Sequence, residues 1–139
     1  GMEGKIDHHF ADICDLPAML KIFTAAEPDF VFHLAAQPIV SVSYDDPVST
    51  LQTNILGTAH ILESLRIMNK PCIAVMITSD KCYDNVEWIW GYREQDALGG
   101  KDPYSASKGG AEIVIKTYYH SWFKKPGSNV KLVSVRAGM

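Results

Sequence analysis

Three short apolar runs, separated by stretches with helical periodicity, constrain the fold of this chain more than any other feature. The runs cover residues 30–36, 72–77 and 130–136. The first is continuous, which is typical of a strand buried on both faces of a parallel sheet, and the second also indicates a buried strand. A further strand is predicted at residues 6–10. Strands that alternate with helices predict an α/β fold with a parallel sheet.

The intervening stretches carry helix signals at both ends. Asp15 and Pro17 predict a helix over residues 17–26, because an acidic cap and a proline in the first turn favour helix initiation. Asp46 and Pro47 open a second helix over residues 48–68, in which apolar side chains recur every three or four residues. A third helix is predicted over residues 104–123.

Composition excludes several classes of protein. The net charge of −3 argues against a nucleic-acid or anionic-membrane partner, and no apolar stretch is long enough to span a membrane. The three cysteines are widely spaced and include no C-x-x-C pair, so we expect free thiols in a reduced, cytoplasmic setting. His8 and His9 have no third ligand nearby, and no metal site is predicted.

Polar residues with complementary chemistry follow the second apolar run. Ser79, Asp80 and Lys81 stand at its C-terminal end, where open α/β sheets place their sites. Tyr104 and Lys108, four residues apart, point from one face of a helix. A phenol has a pKa of about 10, and a neighbouring cation favours the phenolate. The tyrosine–lysine pair could therefore remove a proton from an alcohol, with the serine hydroxyl bonded to a substrate oxygen.

Asp80 and Lys81 could act as a general acid and a general base. Each group also has a plainer interpretation. The aspartate could cap a turn and the lysine could be solvated, while Tyr104 and Lys108 alone could be surface neighbours. The order of the two polar segments along the α/β pattern favours a redox active site.

Several motifs resemble the extended short-chain dehydrogenase/reductase family, whose members include NAD-dependent epimerases and dehydratases of nucleotide sugars. They are His33-Leu34-Ala35-Ala36-Gln37, Thr53-Asn54-Ile55-Leu56-Gly57-Thr58 and Tyr104-Ser105-Ala106-Ser107-Lys108. Related dehydratases carry Thr-Asp-Glu where this chain has Ser79-Asp80-Lys81. In that respect the chain resembles the branch that acts on CDP-glucose.

The resemblance implies an internal redox cycle with NAD as cofactor. Tyr104, Lys108 and Ser79 would deprotonate the sugar C4 hydroxyl, and Asp80 and Lys81 would assist loss of water across C5 and C6. It also implies a set of cofactor-binding residues: Asp12, Ile13, Ala35, Ala36, Gln37, Asn54, Tyr104 and Lys108. For Asn54, a buried role bracing its helix is an equal alternative.

Other side chains receive simpler assignments. We expect His33 to be a hydrogen-bonded core residue and Cys82 to be a packing residue. Trp88, Trp90 and Tyr92 are expected at the mouth of the substrate site, because exposed aromatic clusters often mark binding.

The resemblance also bears on completeness and assembly. The chain has no G-x-G-x-x-G turn. We therefore expect the fold to be a partial Rossmann-type parallel sheet with flanking helices, lacking the glycine-rich βαβ unit and the C-terminal substrate domain. Residues 1–139 would be the central part of one NAD-binding domain. The strand at residue 30 would be left at an edge, and a homodimer through the helices at 48–68 and 104–123, or a swapped assembly, is expected.

Three functions remain open on the sequence. The first is a segment of a dehydratase acting on CDP-glucose. The second is another family enzyme on nucleotide sugars, an epimerase or a different dehydratase, although an epimerase has no need of an elimination pair such as Asp80 and Lys81. The third is a folded but catalytically inert module.

Overall fold

The computed structural model describes residues 4–138 and contains a three-stranded parallel sheet with its helices on one face. The strands are β1 (Phe30–His33), β2 (Cys72–Ser79) and β3 (Val130–Ala137), in the spatial order β1-β2-β3. Phe30 lies opposite Ile73, and Cys72 lies opposite Val130. The predicted α/β class is confirmed, and β1 is an edge strand, as expected.

Within these residues, five α-helices connect and cover the strands: α1 (Leu16–Ala26), α2 (Val40–Asp45), α3 (Pro47–Leu51), α4 (Gly57–Met68) and α5 (Pro103–Tyr118). A π-helical turn (Gln52–Leu56) joins α3 to α4, so that the predicted helix at 48–68 is one helical stretch with a local widening. A second π-helical turn (Tyr119–Phe123) continues α5. The short α2 was not predicted.

The predicted caps account for where the helices begin. The side chains of Asp15 and Asp46 accept hydrogen bonds from the backbone N–H groups of Ala18 and Ser49, at 3.0 and 3.1 Å. Such bonds satisfy backbone donors that would otherwise have no partner in the first turn. Asn69 ends α4 in the left-handed conformation, with φ of 46°.

The core lies between the sheet and helices α1, α4 and α5. Alternate residues of β2, Cys72, Ala74 and Met76, face it and are almost fully buried. The helices contribute the apolar side chains of Met19, Phe23, Ile61, Leu62, Leu65 and Ile115. Burial of these side chains is the main favourable term in folding.

Two sequence predictions about strands are wrong. Residues 6–10 form no strand, and Phe10 is fully exposed, since nothing in residues 4–138 pairs with this segment. The strand at residue 30 is not buried on both faces, because Phe30 and Phe32 are 60% and 64% exposed. The helices all pack on the opposite face, so the continuous apolar run did not indicate two-sided burial within the described chain.

Candidate active site

The three predicted polar groups are consecutive at the end of β2: Ser79 is its last residue, and Asp80 and Lys81 belong to a short 3₁₀ segment (Asp80–Cys82). Ser79 caps it, accepting a hydrogen bond from the Lys81 N–H at 3.2 Å. The Ser79 hydroxyl donates to Asp80 Oδ1 at 3.0 Å. The side chains of Asp80 and Lys81 project into solvent at the carboxyl end of the strand, where they are accessible to a ligand.

Helix α5 presents the tyrosine and the lysine from one face. Asp102 caps the helix, accepting from the Ser105 N–H at 2.9 Å, and Pro103 occupies the first turn. Tyr104 and Lys108 are 8% and 7% exposed, and Lys108 Nζ lies 5.8 Å from the centre of the Tyr104 ring. Burial lowers the pKa of the Lys108 ammonium. The two side chains therefore lie next to each other on one face of α5, and their catalytic role stays a prediction.

A cleft of about 660 Å³ opens beside the turn. Asp80 and Lys81 line one side of it, and Asp102 and Ser105, at the start of α5, line another. The remaining wall consists of Val40, Tyr83, Asn85, Tyr92, Gly100 and Lys101. The side chains of Tyr104 and Lys108 do not line this cleft; they lie on the helix whose first turn borders it.

Two glycines allow α5 to approach the turn this closely. A Cβ atom on Gly109 would lie 2.9 Å from the Gly99 carbonyl oxygen and 3.3 Å from that of Cys82. A Cβ atom on Gly100 would lie 2.2 Å from the Ala106 nitrogen. Backbone atoms cannot give way to a side chain as a flexible group can, so these positions set the distance between the helix and the loop.

A second cleft, of about 690 Å³, gathers four of the predicted cofactor residues. Asp12 and Ile13 line it together with Ala35 and Ala36, which follow β1. Thr53 also lines it; this residue begins one of the family-like motifs but was not predicted to bind the cofactor. Gln37 points elsewhere, with its amide group bonded to Thr50 and to the backbone of Ile39.

Asn54 connects the end of β1 to α5. It is 2% exposed, and its Oδ1 accepts from the Gln37 N–H at 2.8 Å. Its Nδ2 donates to the Gln37 carbonyl at 3.1 Å and to Ser107 Oγ at 2.8 Å, and Ser107 Oγ in turn donates to the Tyr104 carbonyl at 2.6 Å. These contacts give Asn54 a bracing position, and a contact with a cofactor stays a prediction.

His33 and Cys82 occupy the core, as expected. The Thr58 hydroxyl donates to the Asn54 carbonyl at 2.7 Å, so it accepts from His33 Nε2 at 3.1 Å, and the histidine is neutral with its proton on Nε2. Burial, with a smaller contribution from the Lys108 charge, lowers the pKa of His33 to about 4. Burial raises the pKa of the Cys82 thiol to about 11, which makes it a poor nucleophile.

The aromatic residues of the loop after the turn separate into two groups. Tyr92 stacks on Tyr83 with ring centroids 5.1 Å apart, and both line the cleft. Trp88 packs on Tyr92 at 5.5 Å, but Trp88 and Trp90 border a separate depression and are 46% and 70% exposed. Only Tyr92 of the three predicted aromatics lies in the cleft wall.

Sequence reasoning missed a charged pair behind the site, formed by the buried Glu112 and the partly buried Arg136. Arg136 Nη2 donates to Glu112 Oε2 at 2.8 Å, and the Thr78 hydroxyl donates to Glu112 Oε1. Burial by itself would lower the pKa of Arg136, but its hydrogen bonds to Glu112 and Tyr83 raise it. One sequence signal did point to Glu112, because it lies one turn beyond Lys108 on the same face of α5.

Comparison with known proteins connects this geometry to a family. A family model described as GDP-mannose 4,6 dehydratase matches residues 1–131. The CDP-glucose 4,6-dehydratase of Salmonella typhimurium is 46% identical over 136 residues, which are 96% of this chain and 38% of that protein. The dTDP-glucose 4,6-dehydratase 1 of Escherichia coli is 32% identical over 129 residues, 81% of this chain and 36% of that protein.

A solved structure shows the same arrangement of elements. The crystal structure of the Thermus thermophilus UDP-glucose 4-epimerase in complex with NAD superposes with a TM-score of 0.75 at 29% identity, covering 91% of this chain and 39% of that one. The chain thus spans under two fifths of the length of each of these three proteins. Since the family model covers nearly all of it, the chain belongs to the GDP-mannose 4,6 dehydratase family, within the extended short-chain dehydrogenase/reductases.

Proposed function

We propose that the protein carrying this chain converts CDP-glucose to CDP-4-keto-6-deoxyglucose by an NAD-dependent 4,6-dehydration. The observation that carries the proposal is the Ser79-Asp80-Lys81 turn, which projects an acid and an amine into one cleft beside the helix that bears Tyr104 and Lys108. The 46% identity to a CDP-glucose 4,6-dehydratase supports this choice of substrate.

The second cleft fits the adenosine part of NAD. Ala35 and Ala36 leave room at the end of β1, Ile13 offers an apolar surface, and Asp12 adds a carboxylate. Bound NAD would accept a hydride from the sugar and return it. The residues proposed to hold the cofactor are Asp12, Ile13, Ala35, Ala36, Gln37, Asn54, Tyr104 and Lys108.

The residues of the turn and of α5 would handle the protons. Tyr104, supported by the charge of Lys108, would take the proton from the sugar C4 hydroxyl, and Ser79 would hold the same oxygen by a hydrogen bond. Lys81 would remove the C5 proton once C4 is a ketone, and Asp80 would deliver a proton to the departing C6 hydroxyl. The hydride would then return to C6 and a proton to C5, so that the sum of these steps is the loss of one water molecule.

We also propose that the protein is a cytoplasmic homodimer. Val48 on α3, Ile113 on α5 and Trp122 beyond it are 63%, 55% and 41% exposed, which leaves apolar area on the helices expected at the interface. The three cysteines are free, in keeping with a reducing compartment. Among the described residues, no helix has the length and apolar character required to traverse a bilayer. A monomer in light scattering at high concentration would contradict the dimer.

A second candidate is an epimerase acting on a nucleotide sugar, and the superposition on UDP-glucose 4-epimerase favours it. An epimerase inverts a carbon centre without losing water, so it would not use an acid and an amine at the turn. The Asp80–Lys81 pair therefore supports the dehydratase over the epimerase.

The proposed function is tested with the full-length protein, NAD and CDP-glucose. We expect a product lighter than the substrate by one water, detected by mass spectrometry. In Lys81→Met, reduction of NAD should persist in a single turnover while product falls by ~100-fold or more, because the substitution removes the elimination base and leaves the hydride site. Tyr104→Phe should abolish both.

The controls separate the candidates. dTDP-glucose in place of CDP-glucose tests the nucleotide, and an isomer of unchanged mass would establish the epimerase instead. Unimpaired turnover of Lys81→Met would contradict the assignment of Lys81.

A further inference from the structure

Glu112 is a buried carboxylate for which the proposed chemistry has no use. It is 4% exposed, and each carboxylate oxygen accepts one hydrogen bond, Oε1 from the Thr78 hydroxyl and Oε2 from Arg136 Nη2 at 2.8 Å. Buried ion pairs seldom stabilise a fold more than apolar side chains of similar volume. A role in positioning the parts of the site therefore explains the Glu112–Arg136 pair better than a gain in stability.

The three partners belong to the three elements that form the site. Thr78 directly precedes Ser79 at the end of β2, and Arg136 lies opposite Thr78 on β3. Glu112 follows Tyr104 and Lys108 on α5 at intervals of four residues, so all three project from one face of the helix. One carboxylate thus connects the catalytic helix to the strand that supplies the catalytic turn.

Arg136 extends the connection to the cleft wall. Its Nη1 donates to Tyr83 Oη at 2.8 Å and to the Glu94 carbonyl at 3.2 Å, and its guanidinium lies 4.8 Å from the centre of the Tyr83 ring. Tyr83 stacks on Tyr92, and both line the cleft. The planar guanidinium can make these contacts at once because its donors point in several fixed directions.

We propose that Glu112, together with Thr78 and Arg136, is a positioning residue that holds the Ser79–Lys81 turn and the cleft wall in register with Tyr104 and Lys108. The proposal rests on the proposed function, because it assigns the three residues to that site. None of them touches the substrate; they act through the residues that do. A misplacement of about 1 Å between reacting groups can cost ~100-fold in rate.

The test uses the full-length protein with CDP-glucose. Glu112→Gln keeps the size of the side chain and removes its charge, and Thr78→Val removes one hydroxyl with little change of shape. Thr78→Ser restores that hydroxyl, and Lys70→Gln removes an exposed ion pair with Glu27 as a matched control. The kcat per folded molecule, the KM, the pH profile of kcat and the Tm are measured for each.

We expect kcat to fall by ~10-fold or more in Glu112→Gln and Thr78→Val, with KM within about twofold, because only the alignment of catalytic groups changes. Thr78→Ser should recover most of the loss, and Lys70→Gln should match the wild type. A merely structural contact would lower the Tm and leave kcat per folded molecule unaltered, and that result would overturn the proposal. If Glu112→Gln fails to fold, Thr78→Val decides.

Failure of the proposed function is recognised separately, by a wild type that does not act on CDP-glucose. In that case hydrogen–deuterium exchange decides the positioning role. Faster exchange over residues 79–99 in Thr78→Val than in Thr78→Ser, with unchanged exchange over residues 57–68, would support it. Equal exchange in the two variants would overturn it.

Discussion

At the scale of single residues, the site is surrounded by ionisable groups whose burial controls their charge. His33 and the site residue Lys108 are both buried, and the Lys108 charge adds to the lowering of the His33 pKa. The hydrogen bond between His33 and Thr58 requires a proton on Nε2, and the lowered pKa leaves Nδ1 without one near neutral pH. Protonation of His33 would therefore place two positive charges close together in a poorly solvated part of the molecule.

The first prediction concerns the pH dependence of stability. The pKa of His33 is about 4 in the fold, below its ordinary value of 6.5. Between these values the unfolded chain binds the proton and the folded chain does not, so stability falls as the pH drops through this window. The free energy of unfolding should fall by about 3 kcal/mol in total. His33→Gln should not show this pH-dependent fall, although its amide still offers a donor to Thr58.

Urea unfolding at a series of pH values, followed by tryptophan fluorescence, measures this difference. Carboxylates such as Glu63, whose pKa is lowered by its hydrogen bond with Arg66, lose their contribution at lower pH in both proteins. The difference between the two curves therefore isolates His33. Parallel curves between pH 6.5 and 4 would contradict the prediction.

At the scale of elements, the site depends on how closely α5 packs against the turn and its loop. The Gly99 N–H donates to the Cys82 carbonyl at 2.9 Å, directly beneath Gly109. The adjacent Gly110 faces only the end of the Ile55 side chain, with a Cβ atom there 2.5 Å from Cδ1. The two neighbouring glycines thus face different obstacles, one backbone and one flexible side chain.

The second prediction exploits this matched pair. Alanine favours a helix over glycine by about 1 kcal/mol, so Gly110→Ala should leave stability unchanged or raise it. Gly109→Ala should destabilise by about 1–3 kcal/mol, because the new methyl group displaces backbone that cannot move freely. Thermal unfolding compares the variants, and kcat should fall only in Gly109→Ala. Equal effects at the two positions would show that backbone contact does not set the spacing.

At the scale of the whole molecule, the sheet has one covered and one exposed face. The register aligns Phe30, Phe32, Ile73, Val133 and Val135 on the same face, and each is more than two fifths exposed. Helices α1, α4 and α5 bury the other face. An apolar surface of this extent is a site for association in a chain whose net charge is only −3.

The third prediction is that the 139-residue chain associates through this face. Light scattering should give a mass that rises with concentration, and Phe32→Lys and Val135→Lys should each reduce both the association and the binding of an apolar dye, because they place charge in the patch. Ile89→Lys is the control, since Ile89 is 88% exposed but lies in the loop. An equal reduction by all three would contradict the assignment to the sheet face.

Local signals were sufficient for most of the secondary structure. The acidic caps at Asp15 and Asp46 and the prolines that follow them located two helix starts, because capping depends on residues within one turn. The strands at residues 72 and 130 were predicted close to their observed bounds. The strand at residues 6–10 was wrong because a strand also needs a neighbour to bond, which local sequence does not reveal.

The chemistry of the site was readable from residue types, and its supporting contacts were not. Sequence alone determined that a hydroxyl, an acid and an amine follow β2, and that a tyrosine and a lysine share one face of a helix. Only the tertiary structure brought Glu112 to Thr78 and Arg136, which lie 34 and 24 residues away, and Asn54 to Gln37 and Ser107. The physical reason is that periodicity and capping act over a few residues, whereas the pairing of buried polar groups depends on which distant segments the packed core brings within hydrogen-bonding distance.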